Sequence, residues 1–268
     1  MQKLAPFFFF GCALSAFGWG GEGHALVARI ALAELTPQAR AQVQAILGPN
    51  ATMVSIASWA DEIRRSRPES GPWHYVDIPI DKPHLDMARD CKDGACVIGA
   101  IARFRSVLAD PNAPPEKRKE ALMFIIHFIG DMHQPLHCSD NNDKGGNDVR
   151  VVLYDRPGNL HSAWDSGLLS HMGKEDDLYP VWLKDAERHD KKWAKGTVEQ
   201  WAEESHKLAQ KIVYGKLPPV TADKAPRTLT AVYEKKADPV IRTQIEKAGD
   251  RLAKFLNDTL QPATPATR

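Results

Sequence analysis

The chain has 268 residues, of which 43% are apolar and 26% charged, a globular composition that excludes disorder. Lys and Arg number 35 against 34 Asp and Glu, so no bulk positive field draws nucleic acid or anionic lipid to this protein. Four cysteines exclude a disulfide scaffold, while ten histidines and seven tryptophans stand out.

Met1 to Gly18 reads as a secretory signal peptide. It carries one early charge, Lys3, then an apolar run from Ala5 to Leu14, and closes on Ala16-Phe17-Gly18 with small residues where a signal peptidase reads. The run falls short of the roughly 20 apolar residues of a membrane span, and no later stretch approaches that length. Cleavage makes Trp19 the mature N-terminus and, with Lys3 gone, leaves a formally neutral chain. A rival reading makes Cys12 a lipid-modified cysteine, although Phe9-Phe10-Gly11 is a poor lipobox. The expected destination is the periplasm or the exterior.

Helical patterning then runs from Glu22 to Glu34. Thr36-Pro37 caps a second helix to Leu47, with proline at the first helical position. A third helix is predicted over Met53 to Arg64, followed by an extended stretch from His74 to Ile80. Cys91 and Cys96 bracket a short loop and can close a disulfide in an oxidising compartment; the alternative is that they stay reduced. Cys138 is then odd and reads as a buried thiol. Cys96 to Leu108 and Pro115 to Asp131 are predicted helices, and Asn141 to Asn147 a polar, glycine-containing loop. Asp148 to Tyr154 is the one good strand candidate. Helices are predicted again over His161 to Leu169, Glu187 to Val213 and Val240 to Leu260. The expectation is a mainly α, single-domain multi-helix bundle over 19–262 with a small β-hairpin, and a loose tail over 263–268.

Several of these segments carry His and Asp at metal-ligand spacing. His127 and Asp131 lie four apart on one predicted helix, hence on one face, and His161 and Asp165 repeat the pattern. His137, His24, His74 and Asp61 add further imidazole and carboxylate, the donors that suit a catalytic zinc. Any one such pair is more often a helix-surface pair; the conjunction is what signals a metal centre. The scarcity of thiolate excludes a cysteine-rich structural zinc site.

The motifs Trp19-Gly-Gly-Glu-Gly-His24, Trp59-Ala-Asp61-Glu-Ile-Arg64, Trp73-His74-Tyr75-Val-Asp77, His127-Phe-Ile-Gly-Asp131-Met-His-Gln-Pro-Leu-His137, Gly145-Gly146-Asn147 and Asn159-Leu-His161-Ser-Ala-Trp164-Asp165 occur in this order. Together with Gln244, Ala248-Gly249 and Arg251-Leu252-Ala253 near the C-terminus, they resemble the exported S1/P1 zinc nucleases, which share a trinuclear zinc architecture with bacterial phospholipase C. The resemblance implies a first zinc on Asp61, His74, His127 and Asp131. It implies a second on His137, His161 and Asp165, and a third on the Trp19 α-amine and carbonyl, His24 and Asp131. An α-amine titrates near 8 and can lose its proton to a metal, which an amide inside an uncleaved chain cannot do.

The same resemblance implies the reaction. Zinc-activated hydroxide would attack the phosphodiester of RNA or single-stranded DNA in line, giving 5′-nucleotides, with 3′-nucleotides as small substrates. Asp61 and Arg64 would be the catalytic residues, Arg64 stabilising charge on the phosphate. Tyr75 would stack an unpaired base, and Asp77 and Asn147 would hydrogen-bond base edges. A zinc-dependent phospholipase C is the alternative, although its last ligand is typically Glu where this chain has Asp165. A zinc-storing protein is a third class. No stable protein partner is implied, and a monomer is expected. His133 reads as a supporting or structural residue, and His84, His171, His189 and His206 as solvated.

Overall fold

The computed structural model describes residues 19–222 and 225–260; the expected signal peptide and tail lie outside the described residues. The chain is mainly helical with one small sheet, as the sequence predicts. Helices α1 (Gly21–Glu34) and α11 (Ala231–Thr259) run against each other, and α9 (Glu175–Trp193) packs on both. Helix α2 (Pro37–Leu47) starts as expected, with the Thr36 hydroxyl accepting the Ala39 N–H at 3.2 Å and proline in the first turn. Helices α5 (Val97–Ala109) and α6 (Pro115–Asp131) pair through Phe104, Phe124 and Phe128, whose rings stack at 4.5 and 5.1 Å. Leu26, Ile30, Ile125, Ile241, Ile245 and Leu252 fill the centre of the bundle.

Cys91 and Cys96 form the disulfide, just after the short helix α4 (Met87–Asp90). The buried Cys138 thiol donates to the Met132 carbonyl at 3.3 Å.

The strand at Arg150–Leu153 (β1) pairs antiparallel with β2 (Arg156–Asn159), in the register Arg150 opposite Asn159. Tyr154 and Asp155 both take positive φ in the two-residue turn, the requirement of the primed hairpin turns. A third strand, β3 (Arg227–Leu229), lies parallel on the other side of β1 and is not legible in the sequence.

Other expectations are corrected. The predicted helix over Met53 to Arg64 is a series of turns, then a short α3 (Trp59–Glu62) and a 3-10 turn Ile63–Arg65. Thr52 and Ser55 hydroxyls take each other's backbone N–H, at 3.0 and 2.9 Å, and the Ala57 carbonyl is drawn off by His127. His74 closes a 3-10 segment (Pro68–His74), so the extended stretch starts at Tyr75. The predicted helix over Glu187 to Val213 is broken. It comprises the end of α9, then α10 (Val198–Leu208) and a wider turn (Ala209–Tyr214), with Gly196 at φ +100° between α9 and α10. Both α9 and α11 begin earlier than predicted and run through Pro180 and Pro239. Burial of Trp182, Tyr233 and Ala237 holds them across the missing N–H donors.

The stretch His161 to Leu169 is split into α7 (Leu160–Ser162), a π-turn at Ala163–Gly167 and α8 (Leu169–Met172). His206 is not solvated: it is fully buried between the Ser139 hydroxyl and the Lys82 carbonyl, each at 2.7 Å. No helix among the described residues is long and apolar enough to cross a membrane.

Candidate metal centre

Helix α6 is buried along its last three turns, so His127 and Asp131 project from one face into the protein interior. There they meet Asp61 from α3 and His74 from the 3-10 segment. His74 Nδ1 lies 2.8 Å from Asp131 Oδ2 and 3.7 Å from Asp61 Oδ1. His127 Nε2 lies 3.1 Å from Asp131 Oδ2 and 3.6 Å from Asp61 Oδ2. The other Asp131 oxygen faces His24 of α1, at 3.3 Å from Nε2. His24 stacks on His127 with ring centroids 4.0 Å apart. That approach depends on Gly130, where a Cβ would stand 2.7 Å from His24 Nδ1.

A third group joins the segment after α6 to the π-turn. His161 Nε2 lies 3.1 Å from His137 Nε2 and 3.4 Å from Asp165 Oδ2. The wider spacing of the π-turn carries Asp165, and such turns recur at functional sites because they re-aim one side chain. Trp19 is fully buried one turn before His24, and the Gly20 N–H donates to the Asp165 carbonyl at 2.7 Å. The N-terminal end of the described chain is thereby fastened to the segment that carries Asp165.

The hydrogen bonds around these rings fit a cation. His127, His137 and His161 each direct Nδ1 at a backbone carbonyl, of Ala57, His74 and Gly145, at 2.7, 2.8 and 2.6 Å. A carbonyl only accepts, so each Nδ1 carries the proton and a neutral ring keeps a lone pair on Nε2. With both rings neutral, His137 and His161 point two lone pairs at each other, an arrangement that a cation or a proton between them relieves. His24 Nε2, His127 Nε2, Asp61 Oδ1 and Asp131 Oδ1 are buried without a hydrogen-bond partner, a cost of about 1–3 kcal/mol per group unless something satisfies it. Three sets of imidazole and carboxylate donors, each close enough to hold one ion, result: His24, His127 and Asp131; Asp61, His74 and His127; His137, His161 and Asp165. Donors of this kind suit zinc.

Electrostatics agree. Burial alone would raise the Asp131 carboxyl, yet the charges of His127 and His137 hold it well below the usual carboxylate range. Burial disfavours a charged His127, but Asp131 and Asp61 overcome it and raise its pKa. Burial and the neighbouring His137 push His161 down to about 3, and burial takes His74 to about 4. His24 is lowered by burial and by His127. Burial raises Asp165 well above its ordinary value, with Asp61 and Asp131 adding to it against a hydrogen bond from Gln134. Two carboxylates thus draw positive charge into the centre, here onto His127, while burial keeps His24, His74 and His161 neutral.

A cavity of about 300 Å³ opens over the donors, lined by Arg64, Tyr75, Asp77, His137, Asn147 and His161 among others. Arg64 Nη1 is 3.8 Å from Asp61 Oδ1. Tyr75 is half-buried, and burial followed by the Asp77 charge raises its phenol. Partial enclosure, then Asp140 and Asp90, push the Asp77 carboxyl up to about 6. Asn147 gives its amide to the Lys144 carbonyl at 2.8 Å, so it both holds the glycine turn and lines the cavity. Of the site residues predicted from the sequence, His24, Asp61, His74, His127, Asp131, His137, His161 and Asp165 fall in the three donor sets and Arg64, Tyr75, Asp77 and Asn147 line the cavity. Trp19 is tied to the Asp165 segment through Gly20, and Cys91 and Cys96 form the disulfide.

Sequence reading missed two supports. Gln134 is fully buried and holds Asp165, and Asp140 anchors the glycine turn by accepting the N–H groups of Asp143 and Gly145 at 3.1 and 3.0 Å. Nothing in the periodicity marks either; only their place inside the His127–Gly146 run could have flagged them. His133 is structural, its Nδ1 on the Ile129 carbonyl and its Nε2 accepting from Arg251 at 2.8 Å.

The family model described as S1/P1 Nuclease matches residues 19–261. Nuclease P1 of Penicillium citrinum is 33% identical over 270 residues, spanning 90% of this chain and 97% of its own. Nuclease S1 of Aspergillus oryzae is 31% identical over 286 residues, spanning 96% and 98%. Endonuclease 2 of Arabidopsis thaliana is 38% identical over 174 residues, 60% of this chain and 59% of its own. With the match running from the buried Trp19 through all three donor sets to the last helix, this chain belongs to the S1/P1 nuclease family.

Proposed function

We propose that the protein is an exported, zinc-dependent endonuclease that cuts phosphodiester bonds of RNA and single-stranded DNA to 5′-nucleotides, and that it also acts as a 3′-nucleotidase. The observation that carries this reading is the convergence of three buried His/Asp donor sets beneath one cavity lined by Arg64, Tyr75, Asp77 and Asn147. The mature chain is taken to begin at Trp19 and to act as a monomeric single domain over 19–262. Asp61, His74, His127 and Asp131 would hold one zinc, His137, His161 and Asp165 a second, and His24, Asp131 and the Trp19 amine and carbonyl a third. Bound zinc supplies charge to offset the phosphodiester and acidity to a water near neutral pH.

The rest falls to the chain. Asp61, ionised because the His127 charge outweighs its burial, holds Arg64 against the cavity wall. From there the guanidinium reaches a phosphate oxygen and stabilises the charge that grows there. Tyr75 offers a face to an unpaired base, worth about 1–3 kcal/mol, and Asp77 and Asn147 hydrogen-bond its edge. A duplex hides both face and edge, which favours unpaired strands without a basic groove.

The test is hydrolysis by the zinc-loaded chain starting at Trp19, offered heat-denatured DNA, duplex DNA, RNA, a 3′-nucleotide and phosphatidylcholine. Turnover of denatured DNA, RNA and the 3′-nucleotide, with duplex cut far more slowly, is expected. Lipid turnover without nucleic-acid turnover would replace this reading with that of a phospholipase C.

A further inference from the structure

A second groove, of about 500 Å³, lies between α5, the start of α6 and the Arg67–Trp73 stretch. Arg67, Trp73, Arg103, Lys117 and Glu120 shape it. The Arg103 guanidinium lies over the Trp73 indole at 4.6 Å and beside the Phe104 ring at 5.0 Å. Trp73 is held edge-on by Phe104 and Phe124, at 5.8 and 5.7 Å between centroids, so its plane is set in advance. Arg67 and Lys117 share one carboxylate, Glu120. Among the described residues no carboxylate pairs with Arg103. A guanidinium stacked on an indole keeps its edge donors outward, where they match a phosphate bidentately.

The groove adjoins the metal-facing cavity. Trp73 and Tyr75 flank His74 in the chain, so their Cα atoms are at most about 7 Å apart. Arg64 lines the cavity and Arg67, three residues on, lines the groove. A strand leaving the cavity past Arg64 meets Arg67 and Trp73 next. Ring and cation thus recur in two adjoining linings: Tyr75 and Arg64 in the cavity, then Trp73 and Arg103 in the groove.

We propose that this groove is a second nucleotide subsite, in which Arg103 and Lys117 take a backbone phosphate flanking the cut and the Trp73–Arg103 stack takes the adjoining unpaired base. The inference rests on the nuclease reading for its choice of ligand. It makes the protein a reader of strand length, because only substrates that extend past the scissile nucleotide can fill both sites. Stacking of this kind is sequence-tolerant, so the subsite adds grip rather than base preference.

The test compares the wild-type holoenzyme with Arg103→Glu and Lys117→Glu, both at exposed positions. KM and kcat are measured on single-stranded oligonucleotides from dinucleotide to octanucleotide, and binding of a non-cleavable phosphorothioate octathymidylate is followed by fluorescence anisotropy. The expected result is a KM for the octamer raised about tenfold by Arg103→Glu, the effect falling away as the substrate is shortened to a dinucleotide. Loss of one phosphate contact also flattens the salt dependence of binding by about one counterion. An equal change at every length, or none in both KM and binding, overturns the subsite while leaving the nuclease reading intact. Conversely, octathymidylate binding that weakens in Arg103→Glu on a protein that cuts no nucleic acid supports the groove and removes the proposed activity.

Discussion

The Gln134 side chain donates its amide to Asp165 Oδ1 at 2.6 Å and takes the Leu136 N–H on its own carbonyl. It therefore spans the segment carrying His137 and the π-turn carrying Asp165, and fixes the rotamer of one donor from the backbone of the other. Gln134→Ala is expected to weaken zinc binding at His137, His161 and Asp165 by about 10–100-fold. Chelator competition on the folded protein measures it, with circular dichroism to show that the fold is kept. Unchanged zinc affinity would make Gln134 a packing residue only.

Arg64 is expected to act on the phosphate rather than to support the fold. Arg64→Ala lowers kcat by about 10²–10³ with no more than ~0.5 kcal/mol lost from stability. Arg64→Lys recovers only part of the rate, because a point charge replaces a planar fork. Steady-state kinetics beside a denaturant titration separate the two effects; a stability loss that tracks the rate loss would make Arg64 structural.

Trp19 has a prediction of its own. A chain beginning at Trp19 is expected to hold three zinc ions, and one with a residue left in front of Trp19 fewer, because an amide there is a poor ligand. Metal analysis with N-terminal sequencing of the same sample decides it. Equal zinc content would leave the α-amine out of the centre.

Half-buried Glu34 of α1 and buried Asp250 of α11 form a carboxyl pair in the helix–helix seam, with no hydrogen-bond donor on either Asp250 oxygen. Burial, then the charge of Glu34 and a shared hydrogen bond, push the Asp250 carboxyl up to about 9, with Asp190 and Glu246 adding to it. Burial and, from the charges nearby, Asp190 and Glu187 also raise Glu34. An unfolded Asp releases its proton near 4. Folding therefore takes up a proton between about pH 4 and 9, and stability falls as pH rises through that window. Asp250→Asn removes the slope: it gains on wild type from pH 5 to pH 9 by up to about 5 kcal/mol, or ~10–20 °C in melting temperature. Parallel melting curves across pH would show that the pair is not protonated.

Reduction of the Cys91–Cys96 bridge opens a loop of only five residues' separation, which is expected to cost about 2 kcal/mol. The double variant Cys91→Ser/Cys96→Ser should melt ~4–8 °C lower with Cys138 untouched. A larger drop would mean that the bridge also holds the start of α5.

The donors were legible where a local rule places them. His127 with Asp131 needed only the four-residue spacing of a helix face, and Thr36-Pro37 needed only capping chemistry. The same spacing flagged His161 with Asp165, although a π-turn, not an α-helix, carries Asp165. What periodicity could not show was set by distant partners. The Ala57 carbonyl leaves its own turn for the His127 ring, so Met53 to Arg64 does not stay helical. Pro239 hides the first turns of α11, which stand because Tyr233 is buried and hydrogen-bonded to Trp164. β3 has three residues and pairs with a strand more than seventy positions away, beyond any pattern in its own sequence.

Asp131 turns one oxygen toward His24 and the other toward His74 and His127. In the proposed centre this one side chain would serve two ions, and the occupancy of either would set the charge and the aim of the carboxylate for the other. Two such positions would bind metal as a coupled pair rather than as independent sites. Stripping by a chelator would then depart from the course of independent sites, because the loss of one ion changes the charge and the aim of the carboxylate that holds its neighbour.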